Sequence, residues 1–132
     1  MRRGHGETVL VVEDEISILK LAAQILKDPG YVVLTANRSK DAINLVKEHS
    51  ETIDLVITDV IMPETNGRDL ANLLLTIHPN MKCLFMSGYT STVIADQGVL
   101  VEDMQFIQKP FSAKELGEKV HEVLKSDKEN ST

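Results

Sequence analysis

Residues 55–67 read LVITDVIMPETNG, and the fold turns on how this stretch is taken. Leu55, Val56, Ile57 and Thr58 make a short, β-branched, apolar run of the kind that enters a sheet. Asp59 follows at once, and Pro63 and Asn66-Gly67 then end any strand. A carboxylate is thereby carried to the end of a buried strand. Taken alone, such a residue is more often a helix cap or a solvated loop residue than a reactive group. Its meaning depends on what the other strands bring to the same edge.

Working outward, the apolar runs are TVLVV (8–12), YVVLTA (31–36), DLVITD (54–59), KCLFMS (82–87) and MQFIQK (104–109). The first four are near-continuous, which suits strands covered on both faces of a parallel sheet; the last is more polar, as an edge strand would be. Helical patterns lie between them. Ile18, Leu21, Ala22, Ile25 and Leu26 predict a buried stripe that stops at Pro29-Gly30. Ala42, Leu45 and Val46 follow Ser39, and Leu70, Leu73, Leu74 and Ile77 precede Pro79. Residues 91–98 carry only a weak pattern, read as a short fourth helix. Ser112 and Glu115 have the spacing of a capping box, with Phe111 and Leu116 as its staple, ahead of a last helix burying Leu116, Val120, Val123 and Leu124. The alternation is α/β, (βα)₅: a doubly wound five-stranded parallel sheet with helices on both faces.

The bulk properties fit one soluble domain. The chain has 132 residues, so the reading is a lead-in of 1–7, a domain of 8–125 and a polar, disordered tail of 126–132. The net charge of −6 argues against a nucleic-acid interface, and no apolar stretch is long enough for a membrane span. Cys83 is the single cysteine, so no internal disulfide can form, and its run KCLFM reads as core. A cytoplasmic location is expected.

An open parallel sheet binds its ligand outside the carboxyl ends of its strands. There the sequence delivers Glu13-Asp14-Glu15, Asp59, Ser87-Gly88 and Lys109-Pro110. Converging acids need a cation, and hard oxygen ligands with open positions suit Mg²⁺. A lysine and a hydroxyl facing the same point would complete a cradle for a phosphoryl group. His5, His49, His78 and His121 are scattered and support neither a zinc site nor a phosphohistidine donor.

VVEDE, TDVIMPETNG, MSGYT and IQKPF occur in this order at the strand ends. In these motifs the chain resembles the receiver domains of response regulators, the CheY-like superfold of two-component signalling. The resemblance covers residues 8 to about 125 and implies strand order 2-1-3-4-5. It implies that Asp59 takes a phosphoryl group from the phosphohistidine of a histidine kinase or histidine phosphotransfer domain. Asp14, Asp59 and the Ile61 backbone carbonyl would hold Mg²⁺, with Glu13, an aspartate in many members, acting through a metal-bound water. Lys109 and Ser87 would contact the phosphoryl oxygens, and the Lys109–Pro110 bond would be cis. Ser87 and Phe106 would form the switch, with Ile61 and Tyr89 tuning the lifetime of the phosphorylated state. Both are unsuited to placing an attacking water, so slow autodephosphorylation is expected. Output would pass through the face built from the 91–98 segment, the fifth strand and the last helix, to a downstream protein or a second copy. FIQKPFS and MSGYT look especially like receivers at the C-terminal end of hybrid sensor histidine kinases.

Other readings compete. A haloacid-dehalogenase-type phosphatase needs a second aspartate two residues after the first, where this chain has Ile61. A flavodoxin-like cofactor binder needs a phosphate loop after the first strand, which is absent. A receiver serving only as an unphosphorylated docking module would have no use for Asp59, Asp14 and Lys109 together. The expectation is therefore a phosphoacceptor signalling domain rather than an enzyme acting on other molecules.

Overall fold

The computed structural model describes residues 6–49, 52–60, 67–88 and 105–130. The strands are β1 (Thr8–Val12), β2 (Val32–Ala36), β3 (Ile53–Asp59), β4 (Lys82–Ser87) and β5 (Phe106–Gln108). The helices are α1 (Ile16–Lys27), α2 (Ser39–Glu48), α3 (Gly67–Ile77) and α4 (Ala113–Asn130). All neighbouring strands pair in parallel, in the order β2-β1-β3-β4-β5. The weak helical pattern at 91–98 lies outside the described residues, as do Met104 and residues 1–5.

Strand periodicity sorts the core into two layers, because successive side chains point to opposite faces. Val9, Val11, Leu55, Ile57, Leu84 and Met86 pack with Leu19 and Leu26 of α1 and Leu116 and Val120 of α4. Leu10, Val12 and Val56 face the other way, onto Ala42 and Val46 of α2 and Leu70 and Leu74 of α3. Ile53 has the parity of Leu55 yet joins the α2–α3 layer. The β1–β3 register shifts between Thr8 and Val9, skipping Asp54, and that extra residue reverses the facing of what precedes it.

Four details depart from the sequence reading. Val32 of β2 is 51% exposed, although its apolar run suits a strand covered on both faces; β2 itself ends the sheet, as the expected strand order has it. Helix α1 buries Leu19, Ala22, Ala23 and Leu26, leaving Leu21 at 48% exposure. Its small alanines let the helix lie close to the sheet, turning the inward face away from Leu21. On α3 the inward residues are Leu70, Ala71 and Leu74, and Leu73 is 46% exposed. Finally, α4 continues to Asn130, beyond the expected domain end at Lys125, in a segment without proline or glycine to stop it.

The start of α4 is as the sequence implies. The Ser112 N–H donates to Glu115 Oε1 at 2.8 Å, and the Glu115 N–H donates to Ser112 Oγ at 3.0 Å. Phe111 packs against the cluster containing Leu116. This cap fixes where the chain leaves β5, and hence where Lys109 stands.

Candidate functional site

Parallel strands that end together bring their following residues to one rim. Glu13 and Asp14 follow β1, Asp59 ends β3, Ser87 ends β4 and Lys109 follows β5. Backbone bonds extend the sheet order past the strand ends. The Glu13 N–H donates to the Ala36 carbonyl at 3.1 Å, Val60 N–H to Met86 at 2.9 Å, and Lys109 N–H to Ser87 at 2.8 Å. The Lys109–Pro110 bond is cis.

One ligand-capable oxygen each from Glu13, Asp14 and Asp59 lies within 4.8 Å of the others. Lys109 Nζ enters this cluster, donating to Glu13 Oε1 at 2.7 Å and to Asp59 Oδ2 at 3.2 Å. Glu13 is fully buried, Asp59 and Ser87 are nearly so, and Asp14 is exposed. Glu13 Oε2 has no hydrogen-bond partner among the described residues. A buried carboxylate oxygen left unpartnered is costly, so it marks a place where a cation or its water would be welcome. The donor set is all oxygen, which fits Mg²⁺.

The electrostatics follow from crowding. Burial raises the Glu13 pKa, the neighbouring Asp59 carboxyl raises it further, and Lys109 opposes both. Asp14 is raised by partial burial and by the Glu13 carboxyl. Burial would lower Lys109, but its bond to Glu13 and the charges of Asp59 and Glu13 outweigh that and raise it. Cys83, in contrast, is simply desolvated, its thiol pushed up to about 11.

A cleft of about 680 Å³ opens over this rim. Asp14, Asp59 and Lys109 line its polar end, while Ile18, Leu21 and Phe111 line an apolar flank. Ile16, 44% exposed, begins the helix that supplies this flank. Periodicity does not reveal the flank, because ISILKLAAQIL is apolar on more than one face; Ala22-Ala23 is the signal that the large residues beside them can point elsewhere.

Of the remaining candidates, Phe106 pairs in register with Phe85 and packs against the cluster of Val60, Ala71 and Phe85. Ile61 and Tyr89 lie outside the described residues, as do residues 62–66.

The family model for the response regulator receiver domain matches residues 9–121. The chain belongs to that family. It is 36% identical over 117 residues to the sensor kinase CckA of Brucella abortus, covering 89% of this chain but only 12% of that protein. It is 31% identical to the chemotaxis protein CheY of Treponema pallidum, covering 92% of this chain and 85% of that one. Among solved structures, the receiver domain of the hybrid histidine kinase CckA matches with a TM-score of 0.69 at 33% identity, covering 89% of this chain and 98% of that one. The protein is thus a receiver domain of two-component signal transduction, and its sheet order is that of the CheY-like fold. Receiver domains interact with histidine kinases or phosphotransfer proteins. Among the described residues no helix is long and apolar enough to cross a membrane.

Proposed function

We propose that the Asp59 carboxylate is the phosphoacceptor and takes a phosphoryl group from the phosphohistidine of a kinase or phosphotransfer domain. The observation that carries this reading is the convergence on Asp59: Lys109 at 3.2 Å and two further carboxylates within 4.8 Å, at the mouth of an open cleft. An oxygen of Asp59 attacks phosphorus in line as the phosphorus–nitrogen bond breaks, and the electron pair of that bond stays on the donor imidazole. The product is an aspartyl phosphate.

A carboxylate is a weak nucleophile toward an anionic phosphoryl group, so its surroundings must neutralise and orient. Lys109 supplies one positive charge, and Ser87 a hydroxyl at the neighbouring strand end. Asp14, Asp59 and the Ile61 carbonyl would hold Mg²⁺, with Glu13 reached through a metal-bound water. When bound, the cation neutralises the carboxylates and the incoming phosphoryl oxygens. The apolar flank of Ile18, Leu21 and Phe111 suits the helices of a donor that must bring its histidine to Asp59. Similarity to the receiver of CckA favours a donor within a hybrid kinase relay.

For output, Ser87 would move toward the phosphoryl group and Phe106 into the space it vacates. Having no hydroxyl, Phe106 would be held inward by packing alone. The bistable unit is β4, residues 91–98, β5 and α4, facing a downstream protein or a second copy. Ile61 and Tyr89 make for slow autodephosphorylation, so a phosphorylated state lasting only seconds in Mg²⁺ buffer would overturn that part.

The test is incubation with acetyl phosphate and Mg²⁺, with intact mass read for wild type and Asp59→Asn. A phosphoryl adduct on the wild type that Asp59→Asn lacks supports the reading. An adduct on both, or on neither, overturns it.

A further inference from the structure

Phe85 and Phe106 stand opposite each other on β4 and β5, paired in register. In-register residues of neighbouring strands project to the same face, and both rings join the cluster of Val60 and Ala71 on the α3 side of the sheet. The two are held differently. Phe85 is 6% exposed, on a strand with a neighbour at each edge, and its N–H donates to the Gln105 carbonyl at 2.9 Å. Phe106 is half-buried, on an edge strand of three residues. Of the two rings, Phe106 has the room to leave.

Ser87 lies two residues beyond Phe85, so strand periodicity gives it the same face, about 6.6 Å nearer the rim. A Phe106 ring that fills the space of Ser87 therefore gives up most of its contact with Phe85. Val60 ties this cluster to the site. It follows Asp59 directly, is fully buried, and its N–H donates to the carbonyl of Met86, the residue between Phe85 and Ser87, at 2.9 Å.

We propose that Phe85 is the positioning residue of the switch: it holds Phe106 beside it in the resting domain through the cross-strand ring pair, and the move of Phe106 toward Ser87 breaks that pair. The inference rests on the reading of Asp59 as phosphoacceptor and Phe106 as its switch. Its physical basis is a contact that differs between two states, since only such a difference can set their populations. Phe106 has no hydroxyl and gains no hydrogen bond in either place, so packing alone must favour one of them. An aromatic pair contributes beyond the area it buries, and a leucine at position 85 would stay apolar while losing the pair. The ring of Phe85 thus sets how much of the domain rests in the unswitched state.

Beryllofluoride, standing in for the phosphoryl group on Asp59, tests this when titrated at fixed Mg²⁺ and followed on the Ser87 amide signal. Weakening the resting state enlarges the fraction competent to bind, so Phe85→Leu should tighten beryllofluoride binding about fivefold. Cys83→Ala loosens the same cluster but leaves the ring pair, and should stay within about twofold of wild type. Unchanged or weaker binding in Phe85→Leu, or equal tightening in Cys83→Ala, overturns the proposal. Where Phe85→Leu does not fold, the ring-to-ring nuclear Overhauser contact decides in the wild type, whose three phenylalanines keep the aromatic spectrum simple. A Phe85–Phe106 contact present at rest and lost with beryllofluoride supports the proposal, and one that persists overturns it. Beryllofluoride binding that Asp59→Asn abolishes but Phe85→Leu leaves unchanged removes only the role of Phe85. Absence of any Asp59-dependent binding removes the phosphoacceptor reading, and this inference with it.

Discussion

Asp54 and Asp59 lie on the same strand, at its two ends, and chemistry separates them completely. Asp54 is exposed at the start of β3, where its carboxylate accepts the Thr8 N–H at 2.9 Å across the register shift. Water and a backbone amide satisfy it, so it is a structural residue. Asp59 is only 7% exposed, and it shares one lysine with a buried glutamate that still has an unpartnered oxygen among the described residues. A carboxylate becomes useful where the fold denies it water and crowds it with like charge. The parallel sheet does this only at its carboxyl edge, because that is where the connections leave the strand ends open to one another.

The largest expected contrast breaks the pair apart directly. Asp59→Asn should abolish phosphorylation by acetyl phosphate, while Asp54→Asn should leave it unchanged, both read by intact mass. Phosphorylation lost in Asp54→Asn, or kept in Asp59→Asn, would dissolve the distinction. Next in size is Lys109→Met, which removes the positive charge facing both Asp59 and Glu13. Loss of a preorganised charge at a phosphoryl centre should slow phosphorylation by about 10²-fold or more. A rate within about threefold of wild type, followed in a single-turnover time course, would leave Lys109 a structural role only.

Much of this arrangement is legible in the residues alone. The five apolar runs, the alternation with helices and the capping box at Ser112 point to the sheet and its rim, since in a parallel sheet strand-end residues must converge. Glu13, Asp14, Asp59, Ser87 and Lys109 can therefore be gathered from their spacing and their likeness to receiver domains. The rest depends on tertiary detail. The partition of Lys109 between Glu13 and Asp59 follows from side-chain reach across strands, which no local pattern encodes. Leu21 looks inward by its spacing because α1 is apolar around much of its circumference, and only docking against the sheet decides which residues turn inward. The same limit hides the exposure of Val32 on β2, whose run VVLTA looks covered on both faces.

The pH dependence of stability should sharpen the contrast at the buried end. Glu13 has a folded pKa above the ordinary value of 4.5. In the interval between the two values the folded state holds a proton that the unfolded state has lost. Stability of the metal-free domain must therefore fall as pH rises through that interval, the reverse of a salt-bridged surface carboxylate. Glu13→Gln cannot titrate, so its urea midpoint should vary less with pH over the same range, the residual slope coming from Asp14. Identical slopes for wild type and variant would mean that Glu13 is not the crowded group described here.

The smallest effect belongs to Asp54. In Asp54→Asn the amide oxygen can still accept the Thr8 N–H, so what is lost is the charge assistance of one exposed hydrogen bond. Such bonds differ by about 0.5–1 kcal/mol between charged and neutral acceptors. Asp54→Ala also leaves the Thr8 amide to water and should lose about 1 kcal/mol. Because Asp54 is the extra residue at the β1–β3 register shift, a much larger loss by urea unfolding would mean that its side chain pins the register itself. Ile53 would then be tied to the α2–α3 layer through this one bond, and the plain end of the strand would matter to the fold as much as Asp59 matters to the chemistry.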